Sequence, residues 1–215
     1  MDRSDARHIV RAPVRVRPNV TIDASQRPVP GVSFFSRART RHAHVRSLAY
    51  LVTAETAVRE GWSTSGIRLA DIDPLTLDVW RRSWTGPHRH GARPWNWDAL
   101  IEHMPRRAAV IPLAVWHGET LCGLGRGYLT RRRLGGRNAA VLQYVEACPS
   151  DHPLRGRVIQ IAAAAAEIYG AEFGARYLRL MNPDAALLPY YTESFGFRVA
   201  YKGAVARYCE REILR

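Results

Sequence analysis

Residues 139–169 read AAVLQYVEACPSDHPLRGRVIQIAAAAAEIY, and a strand, a loop and a helix follow one another in them. Ala139 to Cys148 is a nearly continuous apolar run, with Leu142 and Tyr144 among its bulky members, as in a buried strand. Pro153 then opens a long helix through Tyr169, with Val158, Ile161, Ala162, Ala165 and Ile168 on one face. Its first turn contains Leu154-Arg155-Gly156-Arg157-Val158. The first amides of a helix have no internal acceptors, and the helix dipole adds partial positive charge there. Arg155 and Arg157 add charge-assisted donors, so the stretch suits a phosphate group. It equally suits a solvated helix start, and the residues alone leave both open.

The flanking sequence supplies the rest of a sheet. Downstream, Arg176 to Met181 is a strand, Asn182-Pro183 caps a turn or short helix, and Pro189 opens another through Phe195. Phe197 to Tyr201 pairs with Ala204 to Cys209 across Lys202-Gly203. Upstream, Ala108 to Trp116 and Thr120 to Thr130 form a hairpin across His117-Gly118-Glu119. Asn96 caps a short helix within Trp95 to Met104, and Asp73-Pro74 starts a helix that runs to Trp84. Gly66 to Ile72 is a strand with Ile67 and Leu69 inward, and Ser47 to Glu60 is a helix with Leu48, Leu51, Val52 and Ala57 on its apolar face. The expected fold class is therefore mixed α/β (α+β), without repeats.

At 215 residues, with 47% apolar and 24% charged types, the chain is one ordinary domain with an arm. This balance excludes collagen, coiled coil and wholesale disorder. The longest apolar stretch, Val158 to Ala171, is interrupted by Gln160, Glu167 and Gly170, so no membrane span is expected. Three cysteines without metal-like spacing, and no apolar leader at Met1 to Val10, point to a reduced, cytoplasmic protein. The net charge is +13, and Lys202 is the only lysine among 32 basic residues. Arginine favours planar, bidentate contact with carboxylate or phosphate. Residues 1–48 hold ten arginines against three aspartates and four prolines, without a sustained helical period. We expect residues 1–48 to form an Arg-rich arm, either flexible or laid across the body, and 49–215 to form the domain.

From Ile67 to Glu210, and most specifically from Ala139 to Phe197, the chain resembles the GNAT superfamily of N-acetyltransferases. The residues that carry the resemblance are the strand into the Arg155 loop, the Asn182 that closes a strand, and Pro189-Tyr190-Tyr191 leading to Gly196-Phe197. The resemblance implies a mixed, mostly antiparallel central sheet flanked by helices. It also implies direct acyl transfer from acetyl-CoA to an amine, with no metal and no covalent enzyme intermediate. By the same resemblance, Val145, Ala147 and Cys148 line the pantetheine arm, and Leu154, Arg155, Gly156, Arg157 and Val158, with Asn182, complete the cofactor site. Glu146 is the implied base and Tyr191 the implied acid, with Tyr190 next. The family's two loop glycines are replaced here by Val158 and Gln160. A side chain at those positions is expected to narrow the approach of the cofactor.

Other roles stay open at this level. Glu146 also fits a pair with an arginine, Tyr191 a core aromatic, and Asn182 a simple cap. His88 and His90 lack a third metal ligand nearby, and Trp80, Trp84, Trp95 and Trp97 suit either an acceptor pocket or core packing. The alternatives to a small or macromolecular amine acceptor are a GNAT-like enzyme acting on tRNA or another nucleic acid, and an inactive binding module. The first would use residues 1–48 and Arg131 to Arg137 as its footprint. The second follows from Val158 and Gln160.

Overall fold

The computed structural model describes residues 34–62, 66–84, 95–103, 108–130, 138–202 and 205–213. In chain order the elements are α1 (Phe34–Arg59), β1 (Ile67–Asp71), α2 (Pro74–Ser83), α3 (Trp97–Glu102), β2 (Val110–His117), β3 (Thr120–Leu129) and β4 (Ala139–Ala147). They continue with α4 (Val158–Glu172), β5 (Tyr177–Met181), a 3-10 turn (Ala185–Leu187), a π-helical turn (Tyr190–Ser194), β6 (Arg198–Lys202) and β7 (Val205–Glu212). The sheet order is β1-β2-β3-β4-β5-β7-β6, and only β4 and β5 are parallel. The mixed, mostly antiparallel sheet agrees with expectation.

Two apolar clusters sandwich the sheet. On one face α1 and α4 cover Leu113, Val115, Leu142, Leu178 and Leu180. On the other, α2 and α3 cover Ala114, Trp116, Leu121 and Leu124. Both short helices start where the sequence placed them: Asp73 accepts a hydrogen bond from the Thr76 amide at 2.7 Å, and Asn96 from the Ala99 amide at 3.1 Å.

Two expectations need correction. Helix α1 begins at Phe34, so residues 34–48 belong to the folded body and the arm expected to reach 48 stops short of it. The buried face of α1 runs His42, Val45, Arg46, Ala49, Tyr50, Thr53 and Ala57, at helical spacing but with polar members, while Leu51 is 56% exposed. His42 Nδ1 lies 2.7 Å from the Tyr169 hydroxyl of α4, and Arg46 donates through Nε to Asp71 of β1 at 2.7 Å. Buried polar groups with partners satisfy the helix but erase its apolar signature. Helix α4, in turn, begins at Val158 rather than at Pro153. Gly156 has φ +76°, a left-handed conformation that breaks a helix running through it. Residues 1–33, the His88/His90 loop, Met104 and Arg131 to Arg137 lie outside the described residues. Among the described residues no helix is long and apolar enough to cross a membrane.

Val158 is 4% exposed and turns down onto β3, where Gly123 leaves room for it. A Cβ on Gly123 would overlap Val158 Cγ1 and lie 3.1 Å from Cγ2. Gly123→Ala is expected to destabilise the protein by about 2 kcal/mol through overpacking. Adding Val158→Ala removes most of that penalty, which a double-mutant cycle by urea unfolding measures. Asp71→Ala leaves the nearly buried Arg46 guanidinium without its carboxylate, beside the Val110 carbonyl at 3.3 Å and the Tyr169 hydroxyl. The same unfolding assay should read a loss of about 2 kcal/mol, between an exposed and a buried pair.

Candidate active site between strands β4 and β5

Strands β4 and β5 pair from Ala139↔Tyr177 to Leu142↔Leu180 and then part. Beyond that point β4 continues to Ala147 against β3 alone, and β5 ends at Met181. The parting coincides with an irregularity in β4. Gly127 faces Leu142 and Arg126 faces Tyr144, so Gln143 is an extra residue, a β-bulge. A bulge reverses the alternation of side chains along a strand. Leu142 belongs to the α4 face, whereas Tyr144 and Cys148 pack on the α2/α3 face. Glu146, two residues from each, shares their side and meets α3 there.

The main chain alternates as well. The Cys148 amide bonds the Cys122 carbonyl of β3 at 2.9 Å, so two-residue alternation turns the N–H and C=O of Val145 and Ala147 toward the open side. Of the three strand positions expected to meet a ligand through their backbone, Val145 and Ala147 turn their main-chain groups toward the gap. The amide of Cys148 is spent on β3.

The loop after β4 reaches the start of α4. Leu154 is fully buried and anchors it, its carbonyl accepting from the Arg157 amide at 2.9 Å. Leu154 therefore offers no side chain to a ligand. Gly156 is exposed, with nothing within 4 Å of where a Cβ would stand. The first helical bond runs from the Ile161 amide to the Arg157 carbonyl at 3.0 Å, so the amides of Val158, Ile159 and Gln160 have no acceptor within the helix. Val158 fills the space over Gly123 rather than the space before these amides. Gln160 is half-buried and accepts from Arg157 Nη1 at 3.0 Å, while Arg155 is exposed and pairs with Asp151 at 2.9 Å. The anticipated narrowing by Val158 does not occur, because its side chain lies over Gly123 and not before these amides.

The tyrosines of the π-helical turn separate. Tyr190 donates its hydroxyl to the Gly156 carbonyl at 3.2 Å and so ties the turn to the loop. Tyr191 is buried on the α4 face, with its ring edge toward Phe197 at 6.4 Å between centroids. Its hydroxyl has no hydrogen-bond partner among the described residues, and burial pushes its pKa up to about 12. Asn182 takes a left-handed conformation, φ 45°, at the end of β5; its amide bonds the Arg207 carbonyl at 3.0 Å and its side chain is exposed.

Across the sheet, the Glu146 carboxylate is 9% exposed and accepts from the indole Nε1 of fully buried Trp97 at 2.5 Å. Trp84 is core, donating to the Leu121 carbonyl at 3.1 Å, whereas Trp95 is 45% exposed and rests edge-on against Tyr144. The sequence singled out these tryptophans as a group; only the fold distributes them. It gave no sign of Gly123 as the partner of Val158, or of Arg126, which stacks over Tyr144 at 5.7 Å.

No protein-family model matches the chain, and no curated protein sequence matches it. Among solved structures it is similar to a probable acetyltransferase from Staphylococcus epidermidis, with a TM-score of 0.51 at 11% identity over 69% of this chain and 99% of that one. It is also similar to an acetyltransferase from Thermus thermophilus, with a TM-score of 0.48 at 18% identity over 69% and 97%. A third is the PaiA N-acetyltransferase of Thermoplasma acidophilum in complex with coenzyme A, with a TM-score of 0.47 at 13% identity over 69% and 99%. The sheet order, the parallel β4/β5 pair that splays at its end, and the first of these likenesses agree on one conclusion: the chain has the GNAT fold.

Proposed function

We propose that the protein is an acyl-CoA-dependent N-acyltransferase that moves an acetyl group directly onto an amine. The observation that carries this is the gap beyond Leu142/Leu180, where Val145 and Ala147 present unpaired main-chain groups. The neighbouring amides of Val158 to Gln160 stand ready for a diphosphate. Acetyl-CoA supplies an activated thioester as substrate: a C–N bond forms, the C–S bond breaks, one amine proton leaves and the thiolate gains one.

The chain's own groups divide that work. Val145 and Ala147 hydrogen-bond the amide-bearing arm of the donor, and Gly156 to Gln160, with Arg157, hold its phosphates. Glu146, fixed by Trp97, takes the amine proton directly or through a water. Tyr191 donates a hydrogen bond to the departing sulfur, which then takes its proton from solvent. With its pKa raised to about 12 by burial, Tyr191 remains protonated throughout the range in which amines react. Tyr190 is a positioning residue, through its bond to Gly156.

Thiol release from acetyl-CoA in the presence of an amine panel tests the proposal, together with calorimetric titration of coenzyme A. Binding of coenzyme A with no acyl transfer to any amine would reject the catalytic role. Glu146→Gln is expected to lower kcat/KM about 100-fold and Tyr191→Phe to lower kcat by a similar factor. Neither change should weaken coenzyme A binding. Because Tyr191 titrates near 12, it should contribute no descending limb to the pH profile below about pH 10.

A further inference from the structure

Beside Glu146, the α2/α3 face carries a group of side chains that acyl transfer itself leaves without a task. Arg126 of β3 lies directly opposite Tyr144 of β4, and Leu124 lies opposite Glu146. Arg126 and Glu146 are thus diagonal neighbours on one face, their β-carbons about 7 Å apart. The Arg126 guanidinium is half-buried, sits over the Tyr144 ring at 5.7 Å, and has no acidic partner among the described residues. Other partly buried arginines of the chain are paired: Arg46 with Asp71, Arg179 with Glu210 and Arg211 with Glu167. Trp95 completes the group, 45% exposed and edge-on to Tyr144 at 4.8 Å between centroids.

A guanidinium that lies over an aromatic ring, half open to solvent and without an acidic partner among the described residues, is available to a ligand's anion. A carboxylate and a guanidinium one diagonal apart, bordered by an exposed indole, match a small molecule with an amine, a carboxylate and an aromatic group. Resting on the acyltransferase assignment, we propose that the acceptor is an aromatic α-amino acid. Its amine lies at Glu146, its carboxylate on Arg126, and its ring against Trp95 and Tyr144. Guanidinium and carboxylate then form the planar, charge-assisted pair that arginine favours. Polyamines and peptide N-termini bring no carboxylate next to the amine and leave Arg126 unpaired.

The test is calorimetric titration of phenylalanine, phenylalaninamide and alanine into the full chain saturated with coenzyme A. Phenylalanine is expected to bind about 30-fold more tightly than its amide, the range of a hydrogen bond between charged groups. Arg126→Gln should bring that ratio to near one while leaving the Kd of coenzyme A unchanged, which also shows that the variant is folded. Trp95→Ala should weaken phenylalanine but not alanine. Equal binding of acid and amide, or no binding of phenylalanine, by protein that binds coenzyme A overturns the acceptor proposal and leaves the acyltransferase reading standing. Failure of the wild-type chain to bind coenzyme A overturns the acyltransferase reading, and this inference with it.

Discussion

The early end of the β4/β5 ladder is the constraint on which the site depends. Parallel strands buried on both faces ordinarily keep their hydrogen bonds for their whole length, because an unpaired main-chain group in a core is costly. Here β4 runs on past Leu142 with one edge unpartnered by β5, and the Gln143 bulge bends it at that point. The bulge does two things at once. It opens the edge at Val145 and Ala147, and it moves Glu146 from the parity of Leu142 to the side of Trp97. Without the extra residue, the carboxylate would point at the apolar face of α4, among Val158, Ile161 and Ala162.

The start of α4 shows how a loop can exchange its small residues without closing. Val158 occupies a place where the related motif carries glycine, yet its side chain is received by the missing Cβ of Gly123 on the neighbouring strand. The volume is conserved across the contact and displaced from the loop to the sheet. Gln160 is accommodated differently, by turning its amide oxygen to Arg157. The helix amides are main-chain groups, so they survive both substitutions.

How much of this was legible in the sequence depends on which physical signal each feature leaves. Strands and short helices were readable because apolar runs, Asp73-Pro74 and Asn96 act locally. The first half of α1 was not, since His42 and Arg46 stand at core positions and are satisfied by Tyr169 and Asp71, partners distant in sequence. Pro153 gave a valid helix-start signal, but the left-handed Gly156 three residues later moved the start to Val158. The sequence singled out Glu146 and Tyr191 as candidates but not where the fold puts them. A bulge has no sequence signature when the extra residue is an ordinary Gln143, so neither the face of Glu146 nor its bond to Trp97 could be read in advance.

The two groups proposed to handle protons stand on opposite sides of the sheet, Glu146 against the α3 cluster and Tyr191 in the α4 cluster. In the proposed direct transfer the amine loses its proton and the sulfur departs at one carbonyl carbon, so both side chains must reach the same gap. A sheet with fully paired strands would wall the two side chains off from each other. The gap between β4 and β5 is the opening that the topology provides between those two faces at this position. Burial suits each group to its side. Tyr191, kept neutral by burial, is suited to the proposed donor role, and Glu146 keeps its orientation through an indole that cannot take its proton.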